Sequence, residues 1–191
     1  ILLYGHKLFR KGTGSIGYML QHDHLFEWRT IEQNVMLGPE IRKTLTPAKR
    51  ESILDMLTTY GLYKFKDSKP SQLSGGMRQR AALIRTLALE PELLLLDEPF
   101  SALDYQTRLK VGDDIGSILK KEQKTAILVT HDLSEAVSLG NRVVILTRRP
   151  GTVQNIVPIV FDEHLSPLER RNAPEFKDYF NTIWKEMNEN E

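Results

Sequence analysis

The stretch that decides the fold is Leu93–Pro99, which reads LLLLDEP, and upstream of it Leu73–Met77 reads LSGGM. Four consecutive leucines predict a β-strand buried on both faces, with Asp97 and Glu98 at its carboxyl end. In open α/β sheets, ligands bind at that edge. Ser74 and the two glycines after it predict an anion site at a helix start, because the glycines leave backbone N–H groups uncovered and the helix dipole favours negative charge. Phosphate donors together with a pair of carboxylates predict nucleotide hydrolysis.

The composition is that of an ordinary globular domain. With 191 residues, 40% hydrophobic and 27% charged, the chain is long enough for one domain with a sizeable core. A formal charge of +1 gives no electrostatic reason to expect nucleic acid as a partner, and the absence of cysteine excludes disulfides and cysteine-ligated metals. No apolar stretch approaches the roughly 20 residues that a membrane span needs, so we expect any membrane association to run through a partner.

Strand-like and helical patterns alternate along most of the chain, which predicts an α/β fold with a largely parallel sheet. Strands are predicted in ILLY, KLF and SIGYML within residues 1–20, broken by Gly5 and by residues 12–14, and again in TAILVT at 125–130 and VVILT at 143–147. Helices are predicted at about 75–88, 105–121 and 134–139. The run QNIVPIVF carries Pro158, which is typical of an edge strand.

Residues 30–90 are predicted to form a helical subdomain beside the sheet. A capping box at Thr30–Gln33 opens its first helix, and Thr46 followed by a proline opens its second. Residues 159–191 are predicted to form a C-terminal extension, in which aromatic and apolar residues recur at helical spacing from Glu175 onward. That stripe is interpreted as packing on the domain, with a partner contact as the alternative.

Five motifs, in this order, resemble those of the ATP-binding subunit of ABC transporters. Gln21 after SIGYML matches the Q-loop, LSGGMRQR the signature and LLLLDEP the Walker B motif. SALD at Ser101–Asp104 matches the D-loop, and His131 in LVTHD matches the switch histidine. The resemblance runs from the first residue to about Pro158 and is strongest to importers of nitrate, sulfonate, taurine and pyrimidine precursors. It implies a P-loop NTPase-like ABC ATPase domain, with a mostly parallel sheet, the helical subdomain and a partial N-terminal antiparallel β region.

The chemistry of ATP hydrolysis assigns roles to the carboxylates. Asp97 is the natural Mg²⁺ ligand, because this hard cation takes carboxylate oxygens, and Glu98 is the candidate general base or water-orienting group. The alternative, that the pair merely caps the next element, is disfavoured by the surrounding motifs. The resemblance makes Gln21 a contact of the metal and the attacking water, and His131 the contact of the γ-phosphate. The remaining histidines are predicted to be surface residues, and no zinc-like spacing is present: His6, His22, His24 and His164.

The resemblance also implies a shared ATP site. Ser74, Gly75 and Gly76 would bind the ATP held by the P-loop of a second ATPase subunit in a head-to-tail homodimer, and Asp104 would lie along that interface. Met77 should affect helix packing more than phosphate binding. Membrane permease subunits, and through them a solute-binding protein, are the further partners implied, at the cytoplasmic face of the membrane. The loop HDHLFEW at His22–Trp28 is interpreted equally as a permease groove and as packing against the helix after Thr46.

One departure from the family pattern stands out. The sequence contains no G-x-x-x-x-G-K-[ST], the P-loop that family members carry upstream of the Q-loop. We expect it to lie before Ile1, because every other catalytic position is intact. The alternative is a truncated or degenerate cassette that folds and dimerises but lacks ATPase activity alone. DNA-repair and chromosome-organising ATPases share the signature, but only 51 residues, without sustained heptads, separate Gln21 from Leu73.

Overall fold

The computed structural model describes residues 2–3, 6–7 and 16–188, and the two predicted glycine breaks before Ile16 lie outside these ranges. The strands are β1 Leu2–Leu3, β2 His6–Lys7, β3 Ile16–Met19, β4 Leu93–Asp97, β5 Thr125–Val129, β6 Arg142–Leu146 and β7 Val153–Pro158. The helices are α1 Ile31–Ile41, α2 Pro47–Thr59, α3 Gly75–Leu87, α4 Tyr105–Lys121, α5 Leu133–Leu139, α6 Pro167–Arg170 and α7 Pro174–Asn188. Short 3₁₀ turns at Tyr63–Phe65 and Pro70–Gln72 connect α2 to α3.

The central sheet has the order β3-β4-β5, and both pairs of strands are parallel. In its register Tyr18 lies beside Leu95, and Asp97 lies beside Val129. The strands therefore end together, and the residues that follow β4 and β5 leave the sheet at the same edge. The predicted parallel α/β sheet is confirmed, while β1 and β2 form a separate antiparallel pair.

The helices after β3 form a layer of their own. Thr30 caps α1 in the predicted capping box, and Thr46 caps α2 by accepting a hydrogen bond from the Lys49 N–H. Helix α1 runs through Pro39 near its C-terminal end. A buried core unites the inner faces of α1, α2 and α3, with Met77 packed at its margin: Leu25, Ile31, Val35, Met36, Ile53, Leu57, Leu62, Leu73, Ala81, Ile84 and Ala88. The prediction that Met77 serves packing is confirmed.

Strand β4 is buried on one face only. Leu94 and Leu96 are 0% and 2% exposed and pack with α3 and α4, whereas the alternate residues of β4 are half-buried. The prediction of burial on both faces is therefore wrong, because the described helices α3 and α4 cover one side of the strand. Strand β5 shows the same asymmetry more strongly, with Ile127 and Val129 52% and 55% exposed.

The C-terminal part forms a second layer. Strands β6 and β7 pair antiparallel, with a register shift between Ile145 and Leu146, and Pro158 ends β7 as the edge-strand prediction requires. Helix α7 packs Ile183 into a core with α5 and this hairpin. Its aromatic stripe is only partly core, since Trp184 is 56% exposed, so the packing interpretation fails for the far end of the helix. No helix in the described ranges combines the length and apolarity that crossing a membrane requires.

Candidate functional site

Asp97 closes β4 and meets a tyrosine from the neighbouring strand. The Tyr18 hydroxyl donates a hydrogen bond of 3.0 Å to Oδ2 of Asp97. That bond raises the pKa of Tyr18. Sequence reasoning did not select Tyr18, because its place beside β4 depends on the strand register. The signal available was its position three residues before Gln21, on the strand that the Q-loop follows.

Glu98 occupies a backbone conformation that side-chain-bearing residues rarely adopt. Its φ is +42°, in the left-handed region, which costs on the order of 1–2 kcal/mol for a residue with a Cβ. The surrounding structure fixes it: the Glu98 N–H donates to the Val129 carbonyl at 2.8 Å. The Glu98 carbonyl in turn accepts from the Ser101 N–H at 3.2 Å and from Ser101 Oγ at 3.0 Å. Ser101 therefore holds Glu98 in place, a role that the motif alone does not reveal.

The Glu98 carboxylate joins the two other predicted catalytic residues. His131 Nδ1 lies 3.1 Å from Glu98 Oε1, and Gln21 Nε2 lies 3.5 Å from Glu98 Oε2. The imidazole is 69% exposed and the carboxylate 32%, so this group opens toward solvent. The contacts follow from the sheet, since the residues come directly after β4, β5 and β3. A carboxylate between an imidazole and an amide is chemically suited to acid–base work.

The donor set around Asp97 suits a magnesium ion. Residues 16–188 contain no group of three or more His, Cys, Asp or Glu side chains arranged to hold a metal ion. Mg²⁺ in nucleotide sites takes only one or two carboxylates and completes its shell with phosphate and water oxygens. The Gln21 amide nitrogen faces Glu98, and its amide oxygen is a further ligand of the hard kind that this ion takes. The residues present therefore fit this ion.

Ser74 is the N-cap of α3, and its hydroxyl accepts from the Met77 N–H at 3.3 Å. This leaves the N–H groups of Gly75 and Gly76 without an intrahelical partner, as an anion site needs. Both glycines also have a packing reason that the sequence analysis missed. A Cβ on Gly75 would lie 2.9 Å from Leu103 Cδ2, and one on Gly76 would lie 2.6 Å from Val111 Cγ2.

Asp104 caps the next helix. Its carboxylate accepts from the Thr107 N–H at 3.0 Å at the start of α4. Hydrogen bonds from the Thr107 side chain and backbone hold the pKa of Asp104 below its usual value. Asp104 thus has a structural role in the isolated chain, and its predicted place at a dimer interface stays a prediction.

The predicted site residues fall into two groups. Gln21 and His131 each contact Glu98, with Asp97 adjacent in sequence, whereas no hydrogen bond among residues 16–188 joins Ser74, Gly75 or Gly76 to them. The loop 98–104 lies between the groups, because Ser101 bonds Glu98 and Leu103 packs on Gly75.

The loop after Gln21 is pinned to the helical layer. Buried Asn34 accepts from the Phe26 N–H at 2.7 Å and donates to three carbonyls, those of Phe26, Arg29 and Thr30. An ion pair of 3.0 Å joins Asp23 to Arg78 of α3. Leu25 is buried, but Phe26 and Trp28 are 36% and 72% exposed, with their ring centroids 4.8 Å apart. The packing interpretation of this loop therefore holds for Leu25, whereas the rings of Phe26 and Trp28 lie on the surface.

Comparison with known proteins gives concordant matches. The ABC transporter family profile matches residues 3–101. The uncharacterized ABC transporter ATP-binding protein YtlC of Bacillus subtilis (strain 168) is 49% identical over 175 residues, which are 91% of this chain and 67% of YtlC. The aliphatic sulfonates import ATP-binding protein SsuB of Bacillus licheniformis is 39% identical over 179 residues, which are 93% of this chain and 67% of SsuB.

A solved structure extends the comparison to the fold. The dimeric structure of a post-hydrolysis state of the ATP-binding cassette MJ0796, bound to ADP and Pi, matches with a TM-score of 0.61 and 32% identity. The match covers 77% of this chain and 64% of that chain. The fold is thus that of an ABC ATPase domain, as predicted, and the chain spans about two thirds of the length of the proteins it matches.

Proposed function

This chain belongs to the ABC transporter family, and we propose that it forms the ATP-binding and ATP-hydrolysing part of an importer. The proposed solutes are of the nitrate, sulfonate, taurine and pyrimidine-precursor class. The 39% identity to an aliphatic sulfonates import ATP-binding protein supports this choice, and the family binds ATP with Mg²⁺ in general. Solute selection belongs to the permease and its solute-binding protein, so the class is proposed as a whole.

The observation that carries the proposal is the contact between Glu98 and His131 at the ends of two parallel strands. We assign to Glu98 the orientation and deprotonation of the attacking water, and to His131 the contact with the γ-phosphate. Gln21 holds the Glu98 carboxylate from its other side. Asp97 and Gln21 would hold Mg²⁺, whose chemistry there would be to neutralise charge on the phosphate oxygens.

The second group of residues supports a shared site in a homodimer. Ser74, Gly75 and Gly76 offer helix N-terminal donors, but they make no contact with the carboxylate group in the described part of one chain. We therefore propose that they bind the ATP of a second subunit, with Asp104 along the interface. The similar structure of MJ0796 is dimeric and bound to ADP and Pi, in agreement with this arrangement.

The exposed Phe26 and Trp28 are the proposed contact with the permease. They lie on the loop that begins at Gln21, so a partner seated on them is one short loop away from Glu98. Such a partner would place the protein at the cytoplasmic face of the membrane. The shared core of α1, α2 and α3 supports residues 30–90 as the subdomain that carries this contact, with residues 159–191 as a C-terminal extension of the single 1–191 domain.

The decisive test is Glu98→Gln, which keeps the shape of the side chain and removes its basicity. Turnover is measured on the P-loop form, defined as this chain joined at its N-terminus to the P-loop-bearing segment of a family member. We expect ATP hydrolysis to fall about 100-fold or more, as for loss of a general base, while ATP-bound dimers accumulate in light scattering.

The matched control is Glu92→Gln. It makes the same chemical change at an exposed residue directly before β4, at the end of the strand away from Glu98. It should leave turnover unchanged. Unaltered hydrolysis in Glu98→Gln would remove Glu98 from its role and, with it, the proposed mechanism.

A further inference from the structure

Arg108, in the first turns of α4, contacts one residue of the loop 98–104 and two residues at the start of α5. Its Nη2 donates to the Leu103 carbonyl at 3.1 Å. Its Nη1 lies 3.6 Å from Asp132 Oδ2, and its Nε lies 3.9 Å from Glu135 Oε1. The side chain is 24% exposed, and its Nε is buried without a hydrogen bond. The guanidinium therefore fills the space between the loop 98–104 and the start of α5.

The two carboxylates that face Arg108 both follow His131 closely in sequence. Asp132 caps α5 by accepting from the Ser134 N–H at 2.8 Å and the Glu135 N–H at 3.2 Å. Glu135 accepts from Thr130 Oγ1 at 2.6 Å, and the same hydroxyl accepts from the Asp132 N–H at 3.0 Å. The residues on both sides of His131, Thr130 and Asp132, are thus held by one network. Arg108 contacts both of its carboxylates, and Arg171 also acts electrostatically on Glu135.

Because Glu135 is a buried charged residue, disturbing this network should lower the stability of the fold. Its side chain is only 5% exposed, and burial raises the pKa of Glu135. Without Arg108 the buried carboxylate of Glu135 would keep only the influence of Arg171, and a buried charge with too little compensation is destabilising. Loss of Arg108 therefore has a stability effect that has to be separated from any effect on His131.

The other end of the Arg108 contact reaches the signature helix. Leu103, whose carbonyl accepts from Arg108, is 8% exposed. Its Cδ2 lies 2.9 Å from the position that a Cβ on Gly75 would occupy, so the side chain fills the space left by that glycine. Contacts within one chain thus run from Gly75 through Leu103 and Arg108 to the residues around His131.

We propose that Arg108 is a positioning residue that couples the signature tip, which serves the ATP of the neighbouring subunit, to His131, which serves the ATP of its own subunit. The inference rests on the proposed function, because that function assigns one ATP to the signature tip and another to His131. A lysine is a poor substitute, since it presents one point charge where the guanidinium fork addresses three acceptors in fixed directions.

The test compares Arg108→Met with the double variant Arg108→Met/Glu135→Gln in the P-loop form. The single variant should lower kcat by about 10- to 100-fold, since a 1 Å misplacement of a catalytic group can cost about 100-fold, with the KM for ATP within about twofold. It should also lower Tm. The double variant removes the unpaired buried charge, so it should regain Tm and keep the low kcat. Recovery of kcat together with Tm would reduce Arg108 to a structural role and overturn the proposal.

Arg170→Met is the matched control, because Arg170 contacts the opposite end of α5 through the carbonyls of Ser138 and Gly140 and also has a buried Nε without a hydrogen bond. It should lower Tm without lowering kcat. An equal loss of kcat in Arg170→Met would show that any damage to α5 suffices, and would also overturn the proposal.

A second readout does not depend on ATP turnover. In the 191-residue chain, histidine NMR should show a changed ring environment for His131 in Arg108→Met, with the exposed His164 as the unchanged internal reference. An unshifted His131 signal would overturn the positioning role. Failure of the proposed function would instead appear as normal hydrolysis in Glu98→Gln, so the two failures are distinguishable.

Discussion

Gly76→Ala separates the two reasons for a glycine at the signature tip. An added Cβ would lie 2.6 Å from Val111 Cγ2 and 3.2 Å from Thr107 Cγ2, against ordinary contacts of 3.4–4 Å. Val111 is 3% exposed and stiff at χ1, and α4 cannot retreat because its next turns pack in the core against β4. Overpacking of this kind costs roughly 1–3 kcal/mol. A contact of 2.6 Å puts the overpacking cost in the upper half of that range. The gain in helix propensity offsets about 1 kcal/mol, so we expect a net loss of about 1–2 kcal/mol.

The assay is thermal and urea unfolding of the 191-residue chain, followed by circular dichroism. For a domain of this size, each kcal/mol shifts Tm by roughly 2–4 °C. Gly112→Ala is the control, because a Cβ at Gly112 on α4 meets nothing within 4 Å. It should raise stability by roughly 0.5–1 kcal/mol from propensity alone, which gives the two glycine variants opposite signs.

A double-mutant cycle identifies the clash as the cause. Val111→Ala removes the methyl group that the new Cβ would meet, so the cost of Gly76→Ala should shrink by about 1 kcal/mol in that background. Additivity within about 0.5 kcal/mol would refute the packing explanation. A Gly76→Ala protein as stable as the wild type would refute it as well.

Three further predictions concern the loop after Gln21, Glu135 and the chain as a whole. Asn34→Asp replaces an amide whose nitrogen contacts three carbonyl oxygens with a group that cannot donate to them. The free energy of unfolding, measured in urea, should therefore fall by about 3 kcal/mol or more. As the control, Asn172→Asp on the exposed turn before α7 should change the free energy of unfolding by no more than about 0.5 kcal/mol. Burial raises the pKa of Glu135, so its contribution to stability is full below the ordinary value of 4.5 and is lost as pH rises through the folded pKa. The stability of Glu135→Gln relative to wild type should therefore increase with pH above about 4.5, and a difference independent of pH would contradict this sign. The 191-residue chain should show no ATPase activity in a phosphate-release assay, because its sequence holds no glycine-lysine cradle for the β- and γ-phosphates. ATPase activity that copurifies with the chain and disappears in Glu98→Gln would contradict this prediction.

Features fixed by neighbouring residues were predictable from the sequence. The capping box at Thr30 and the cap at Thr46 depend on side chains that bond the backbone three residues on, and both helices begin as expected. The meeting of Glu98 and His131 was also implied, since each follows a strand of one parallel sheet. The likeness to known motifs added the roles, which spacing does not supply.

Features set by strand register and by tertiary packing were not predictable. Tyr18 reaches Asp97 only because β3 pairs with β4 in one particular register. The left-handed backbone of Glu98 arises from hydrogen bonds to β5 and to Ser101, which no local pattern encodes. Four leucines look alike in sequence, yet only Leu94 and Leu96 face the helices, because alternate residues of a strand point to opposite sides.

The loop 98–104 links the two groups of residues that we propose to serve two ATP sites. Its first residue is the strained Glu98, its last residue caps α4, and Leu103 between them packs on the signature tip. Arg108 then ties the Leu103 carbonyl to the residues beside His131. Leu103 is buried and fills the space that Gly75 leaves, so we expect a displacement of the tip by the proposed neighbouring ATP to be passed along these contacts. It would then reach the strained backbone of Glu98 or the network around His131, and both lie at the proposed catalytic group of the same subunit.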